Sequence, residues 1–326
     1  MSTAFRSPLA SRLQVFWETR RAAGQRSFAT FYILRYLDRF LIAALKPGDT
    51  ITQEVAQRWF KSMEHLSPGT RRKRISVLRQ FCIYLGHFDP RTCIVHRAFL
   101  PRCNRPMPYI YSRREVCQMM TAATRIGPAG SLRPAVVSTL IGLLFSTGLR
   151  ISEALDLTIE DIDLKHRLLH VRHTKFNKFR YVPLSPSTTR HLSAYLLKLH
   201  RAGFATSSAL PAFVSLRGRQ YSHTGFTTVF LAIIRKLGIR GARGTRGARI
   251  HDSRHTFSVN RLVAWHHSGA NLFAKLPALS TYLGHSTVSS TQVYLRSTAE
   301  LLESTGTRFH AHFAIPPTKN EKHAPR

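Results

Sequence analysis

Residues 282–295 read YLGHSTVSSTQVYL, which places a histidine, a run of Ser and Thr, and then a tyrosine nine positions after the histidine. A tyrosine that only packed in a core would not need a neighbouring histidine or so many hydroxyl groups. Short motifs often mislead, and for Tyr294 alone a packing role is favoured by about four to one. The interpretation of this tyrosine therefore depends on the rest of the chain.

Three other stretches carry polar residues that suit the same chemistry. HDSRHTF (251–257) places His251 and Arg254 three residues apart, so both side chains are expected on one side of a helical turn. The stretch STGLR ends at Arg150, where a new helix is expected to begin. Lys175 and Lys178 lie in a polar turn between two β-type runs, residues 168–172 and 180–184, which predict a hairpin.

These residues together could cleave a phosphodiester. A tyrosine hydroxyl has an unperturbed pKa near ~10, so as a nucleophile it needs a proton acceptor, and His251 could accept that proton. Two guanidiniums, those of Arg150 and Arg254, could grip the non-bridging phosphate oxygens as negative charge develops.

The remaining two roles concern the leaving group and the phosphate. Lys175, preferred over Lys178, is a plausible general acid for the departing 5′-oxygen, and His285 would donate a hydrogen bond to a phosphate oxygen. No cofactor or metal ligand set is required, because fixed side chains supply the charge that a divalent ion would bring.

The charge balance predicts a polyanionic partner. Lys and Arg number 49 against 16 Asp and Glu, giving a formal net charge of +33, and phosphates release counterions when such cations neutralise them. An RNA-binding protein of the ribosomal type and a membrane-surface protein are the alternatives. Membrane binding is the weaker one, since no apolar stretch approaches the length of a span and the N-terminus lacks a signal peptide. A cytoplasmic protein is expected.

Candidate DNA-contacting residues lie in three basic segments, and for each a merely solvated surface is an open alternative. One segment follows the predicted helix start at Ser67 and Pro68. The second is RGARGTRGAR (240–249), which should not pack in a core and resembles Arg/Gly segments that follow nucleic-acid backbones. The third is the hairpin turn. The candidates are Arg71, Arg72, Lys73, Arg74, Lys178, Arg243 and Arg246.

The chain is expected to contain two domains. Residues 1–100 predict an all-helical basic unit, and residues 101–112, rich in Pro and Arg, predict an extended linker. Residues 113–312 would form a second domain, mainly helical with a small β-sheet, and residues 313–326 a disordered tail. The four cysteines include no CxxC pair, so neither a zinc ribbon nor a disulfide framework is indicated and reduced, mostly buried thiols are expected.

The order Arg, Lys, HxxR, LGH and Tyr resembles the signature of the tyrosine recombinases of the phage-integrase type, from about residue 25 to 310. The matching pieces are TGLRISEALDLTIEDID, TKFNKFRYVPL, HDSRHTF and YLGHSTVSSTQVYL, with a softer match at SPGTRRKRISVLRQFCIYL. The resemblance implies a two-domain clamp around duplex DNA, with an N-terminal core-binding domain.

The same resemblance implies a reaction and an assembly. Attack by Tyr294 would leave a 3′-phosphotyrosine and a free 5′-hydroxyl, without ATP. Four protomers would assemble on two DNA sites and exchange C-terminal segments, here residues 297–312. Whether sister recombinases or accessory proteins also take part is left open by the resemblance. Glu153 and Asp161 match acidic positions of the family, where they would orient the arginine or the fold. No room is left before residue 25 for an arm-binding domain, which favours a simple-site or transposon-borne recombinase.

The sequence departs from the family in two places. The thirty residues between Arg254 and His285 exceed the usual spacing and could alter how the tyrosine helix is presented, and Ser253 replaces a commonly apolar residue. The alternatives are a type IB topoisomerase, which relaxes DNA with similar groups, and a non-catalytic DNA-binding protein on the same fold. A zinc hydrolase using His251 and His255 is remote, because no third ligand is evident.

Overall fold

The computed structural model describes residues 5–24, 28–103, 107–128, 130–172, 179–204, 207–285 and 287–295. Four predictions fall outside these ranges: those for Lys175, for Lys178, for the exchanged segment 297–312 and for the tail 313–326. The chain divides into two compact units, Met1–Pro106 and Met107–Arg326, here called the first and second unit. Their boundary falls within the segment 101–112 predicted to be a linker.

The first unit is helical over its described residues. Its helices are α1 (Ala10–Ala22), α2 (Phe28–Ala44), α3 (Gln53–Lys61) and α4 (Pro68–Gly86). Helix α2 buries an apolar stripe, with Leu34, Leu37 and Leu41 each no more than 1% exposed. Ser67 caps α4 by accepting a hydrogen bond from the Thr70 N–H, and Pro68 is its first residue, as predicted.

Helix α1 was not predicted, although it supplies part of the first unit's core. Its buried residues are Leu13, Phe16 and Trp17. Phe16 packs with its ring centroid 5.3 Å from that of Phe81 on α4. The apolar residues of α1 are interspersed with arginines, so the sequence shows only weak helical periodicity there.

The second unit surrounds a central apolar helix with further helices and a small sheet. Its helices are α5 (Arg113–Ala123), α6 (Arg133–Thr147), α7 (Ile151–Leu155), α8 (Pro186–Arg201), α9 (His223–Lys236), α10 (Asp252–His267) and α11 (Leu272–Leu283). Residues 289–295 are also helical. Nine residues of α6 are buried, so this helix is enclosed on most of its circumference.

The sheet contains β1 (Ile162–Asp163), β2 (Leu168–Val171) and β3 (Arg180–Pro183) in that order, all antiparallel. Strands β2 and β3 pair in the register Leu169 to Val182 and Val171 to Arg180, which confirms the predicted hairpin. The inward-facing Leu169 and Val182 are fully buried. A mainly helical fold with a small β-sheet is thus present, as predicted.

Three expectations need correction. Residues 107–112 are not a free linker, because Tyr111 is 2% exposed and its N–H donates to Thr256 Oγ1 at 3.0 Å. Segment 240–249 contributes to the core through Ala248, which is 1% exposed, while Arg240 donates hydrogen bonds to its carbonyls and orders it. Of the four free cysteines only Cys82 is buried. Cys93 and Cys103 are partly buried, and Cys117 is exposed on the surface of α5.

The long spacing between Arg254 and His285 is accounted for by regular structure. The rest of α10 and the whole of α11 fill it, and Asn271 caps α11 by accepting a hydrogen bond from the Ala274 N–H. Within the described ranges, no helix combines the length and apolar character needed to cross a bilayer.

Candidate active site

Arg150 is positioned by a sharp turn between α6 and α7. Gly148 ends α6 with φ of +64°, and a Cβ there would lie 2.5 Å from the Phe257 ring, so the close approach of α10 requires glycine. Arg150 follows as the residue that caps α7, and its N–H donates to Glu153 Oε2 at 2.9 Å. The local sequence thereby directs the Arg150 side chain to the same carboxylate.

Glu153 is the centre of the charged cluster. Its side chain is 2% exposed and accepts from Arg150 Nη1 at 2.6 Å and from Arg180 Nη2 at 2.8 Å. Arg254 Nη1 lies 3.9 Å from the same carboxylate. Burial tends to raise the pKa of Glu153, but the hydrogen bonds and charges of Arg180 and Arg150 outweigh it and lower the pKa. Glu153 is therefore ionised at neutral pH.

Arg254 is buried in the first turn of α10, with 1% of its side chain exposed. Its Nη1 donates to the Gly148 carbonyl at 3.0 Å, and its Nη2 donates to the Leu283 carbonyl at the end of α11. Burial, and next the charge of Arg150, lower the pKa of Arg254 to about 10. The guanidinium still carries its charge at neutral pH, and backbone carbonyls fix its direction.

Tyr294 lies in a group of histidines. Its ring centroid is 5.2 Å from that of His255 and 6.1 Å from that of His285, and its side chain is 3% exposed. His255 in turn lies 5.2 Å from His251. Burial is the main cause that lowers the pKa of Arg254. The phenolic group of Tyr294 raises this pKa, so Tyr294 lies close enough to Arg254 to interact with its charge.

All three histidines are neutral at pH 7. Burial, followed by the charge of Arg254, lowers the pKa of His251, and the same two causes lower the pKa of His285 to about 4. Burial and His251 lower the pKa of His255 to about 4. His285 Nδ1 lies 2.8 Å from Thr291 Oγ1, a fully buried hydroxyl on the tyrosine helix.

Five of the six predicted catalytic residues thus converge: Arg150, His251, Arg254, His285 and Tyr294. The sixth, Lys175, lies outside the described residues. Sequence reasoning gave no role to Arg180 or Thr291. It named His255 only as a remote zinc ligand, although this residue contacts both His251 and Tyr294. The spacing HDSRH could have drawn attention to His255, whereas the Arg180 contacts arise only on folding.

The predicted DNA-contacting residues that the structure describes are not part of this cluster. Arg72 and Lys73 are exposed on α4, while Arg71 and Arg74 are half-buried, with the Arg74 guanidinium 4.4 Å from the Tyr36 ring centroid. Arg243 and Arg246 are exposed in the loop that Arg240 orders. Lys178 lies outside the described residues.

Comparison with known proteins identifies the family. Residues 111–300 match the model of the phage integrase family, which is more than half of the chain. The protein y4rB of Sinorhizobium fredii, which is named an integrase/recombinase, is 36% identical over 91% of this chain and 95% of its own length. Tyrosine recombinase XerC of Bacillus subtilis is 29% identical over 87% of this chain and 86% of its own.

Solved structures share the fold. The Tn1549 transposon integrase in complex with transposon right end DNA superposes with a TM-score of 0.65 at 18% identity, covering 90% of this chain and 98% of that one. The site-specific recombinase XerH bound to a palindromic difH substrate gives 0.63 at 19% identity, covering 84% and 76% respectively. The family match and the sequence relatives show that the chain belongs to the phage integrase family and is a tyrosine recombinase, an enzyme that breaks and rejoins DNA.

Proposed function

We propose that this recombinase cleaves duplex DNA with Tyr294 as nucleophile, forming a 3′-phosphotyrosine and a free 5′-hydroxyl. The observation that carries the proposal is the placement of Tyr294, which lies among neutral histidines and within electrostatic reach of the buried cation Arg254. A phenol becomes a competent nucleophile when a base accepts its proton and a positive field stabilises the phenolate. The bond energy stored in the phosphotyrosine makes ATP unnecessary.

Each remaining residue has a role that follows from its environment. His251, neutral because its pKa is lowered, accepts the proton of the phenol, with His255 lying beside both rings. Arg150 and Arg254 stabilise the negative charge on the phosphate oxygens. We assign the proton of the neutral His285 ring to Nε2, which donates to a phosphate oxygen while Nδ1 accepts from the Thr291 hydroxyl.

Two roles rest on sequence alone. Lys175 protonates the departing 5′-oxygen, and Lys178 contacts the DNA backbone. No metal ion enters any step, because the arginine cluster supplies fixed positive charge, and we expect cleavage to survive EDTA.

The assembly and its partners are part of the same proposal. Four protomers act on two DNA sites and exchange residues 297–312, and sister recombinases or accessory proteins take part where a site demands them. The core-binding domain, residues 1–100, lies within the first unit, and the catalytic domain, residues 113–312, lies within the second unit. Because the substrate is DNA, we expect the enzyme to act in the cytoplasm.

Trapping the covalent intermediate tests this function. Wild type and Tyr294→Phe are incubated in EDTA with nicked duplexes tiled across the DNA that flanks the gene, and the products are run on a denaturing gel. We expect a protease-sensitive shifted band with wild type only, while both proteins bind the DNA equally. An adduct formed by Tyr294→Phe would contradict the assignment of the nucleophile.

The same reactions separate the alternatives. DNA binding without an adduct on any tile would support a non-catalytic DNA-binding protein on this fold. An adduct accompanied by relaxation of supercoiled plasmid, without exchange of strands between two sites, would support a topoisomerase. Joining of DNA from two different duplexes would establish recombination.

A further inference from the structure

The guanidinium of Arg180, at the start of β3, connects three elements of the second unit. Its Nη2 and Nη1 donate to the two oxygens of Glu153 on α7, at 2.8 and 3.2 Å. Its Nε donates to the Tyr282 carbonyl on α11 at 2.8 Å. The Arg180 side chain is 11% exposed, so these contacts are shielded from water. None of the roles proposed above involves Arg180.

Arg150 and Arg180 each donate two hydrogen bonds to Glu153, but only Arg180 makes both with its guanidinium, since one of those from Arg150 comes from its backbone N–H. Arg180 makes a two-pronged pairing, whereas the Arg150 side chain uses Nη1 alone, at 2.6 Å from Oε1. The second amino group of Arg150, Nη2, lies 3.4 Å from the Gly284 carbonyl, and the side chain keeps 24% of its exposure. Arg150 therefore keeps one edge away from the carboxylate.

Arg180 occupies both oxygens of Glu153, the two positions that a two-pronged pairing with the Arg150 guanidinium would need. An arginine beside a carboxylate favours the parallel two-pronged geometry, because it forms two charge-assisted hydrogen bonds at once. Arg254 does not compete for Glu153 in the same way, since two backbone carbonyls already hold its guanidinium. Without Arg180, the Arg150 guanidinium could rotate to engage both oxygens of Glu153.

We propose that Arg180 is a positioning residue for DNA cleavage, which occupies Glu153 so that one edge of Arg150 remains available to the scissile phosphate. The proposal rests on the function assigned to Arg150 above. Loss of Arg180 would keep the fold of the hairpin but turn Arg150 toward the carboxylate. The effect on cleavage would then depend on the presence of Arg150.

The test is a double-mutant cycle on single-turnover cleavage of a nicked duplex, with DNA affinity and melting temperature measured in parallel. Residues that orient a functional group without touching the substrate contribute about 10- to 100-fold in metal sites, and we expect Arg180→Met to slow cleavage by that order. DNA affinity should change less than about threefold. In an Arg150→Ala background, Arg180→Met should have almost no further effect.

Arg172→Met is the matched control. Arg172 directly follows β2, at the same turn end of the hairpin as Arg180, and pairs with Asp161, a carboxylate that is 4% exposed, at 2.6 Å. Because the Arg172 side chain is 43% exposed, Arg172→Met should lower stability no more than Arg180→Met does, while cleavage stays near the wild-type rate. Arg180→Lys retains the charge but not the two-pronged pairing, so its cleavage rate should lie between those of wild type and Arg180→Met.

Two results would overturn the proposal. Cleavage by Arg180→Met at the wild-type rate would show that Arg150 needs no such restraint. Multiplicative losses in the double variant would show that Arg180 acts independently of Arg150, as a purely structural residue would. Absence of an adduct from wild type and Arg172→Met would instead refute the proposed function itself, so the two failures are distinguishable.

Discussion

The two units of this protein carry positive charge in different ways. In the second unit, Arg150, Arg180 and Arg254 surround one buried carboxylate, and backbone carbonyls fix Arg254 in place. In the first unit, Arg72 and Lys73 extend from the surface of α4. Buried and oriented cations can stabilise a transition state without reorganising, whereas exposed ones contribute affinity that falls with salt. Substitutions in the two regions should therefore produce different defects.

The largest effect is expected for Arg254→Ala. It removes one of the two guanidiniums proposed to hold the phosphate, and it takes away the Arg254 hydrogen bonds of the buried Gly148 and Leu283 carbonyls. We expect cleavage to be lost and the free energy of unfolding to fall by about 1–3 kcal/mol, the cost of leaving a buried polar group unsatisfied. Urea unfolding and single-turnover cleavage measure the two losses. Unchanged stability would show that the carbonyl contacts do not hold α10 and α11 together.

Arg150→Ala should separate chemistry from stability. Arg150 is partly exposed, so its removal should leave the fold intact, while loss of one oriented donor slows cleavage about 10²- to 10³-fold. Single-turnover rates at saturating DNA measure this, with Arg172→Ala as the control variant. A rate near that of wild type would remove Arg150 from the catalytic group.

The pH dependence of cleavage probes the proton acceptor. His251 accepts a proton only when neutral, and its pKa is lowered from 6.5 by burial and by Arg254. The rate should decline toward acid pH as His251 becomes protonated, with the half-maximal rate at a pH below 6.5, the ordinary pKa of histidine. His251→Gln should cleave more slowly than wild type at every pH, and its rate should lack this decline toward acid pH. The same acid limb in wild type and His251→Gln would assign the proton transfer to another group.

The smallest effects are expected on the first unit. Lys73→Gln and Arg72→Gln each remove one exposed charge, so DNA binding should weaken a few-fold for every sequence and the salt slope should fall by about one. Cleavage at saturating DNA should be unchanged. Fluorescence anisotropy over a salt series measures the slope. A loss confined to one DNA sequence would instead indicate base recognition by these side chains.

The sequence points to the proposed reactive residues because their chemistry requires particular residue types at fixed spacing. The motifs around Arg150, Arg254 and Tyr294 are read directly from the chain, and so is the Ser67 cap of α4. The hairpin and the apolar helix α6 follow from hydrophobic periodicity.

Other features depend on tertiary contacts that no local pattern records. Arg180 meets Glu153 across 27 positions and Tyr282 across 102 positions of sequence. Tyr111 is buried against the rings of Phe145 and Phe230, and its hydroxyl donates to the Arg249 carbonyl, 138 positions away. A proline-rich segment therefore looked like a free linker although half of it belongs to the second unit. Helix α1 was missed because its stability comes from aromatic packing and not from periodicity.

The most direct measurement is to map the residue that becomes attached to DNA. The trapped adduct is digested with nuclease and trypsin, and the nucleotide-bearing peptide is fragmented in a mass spectrometer. Trypsin should release residues 276–296, LPALSTYLGHSTVSSTQVYLR, which contain two tyrosines. We predict that the nucleotide is bonded to Tyr294. Attachment to Tyr282, or to any residue outside this peptide, would contradict the arrangement of the active site described here.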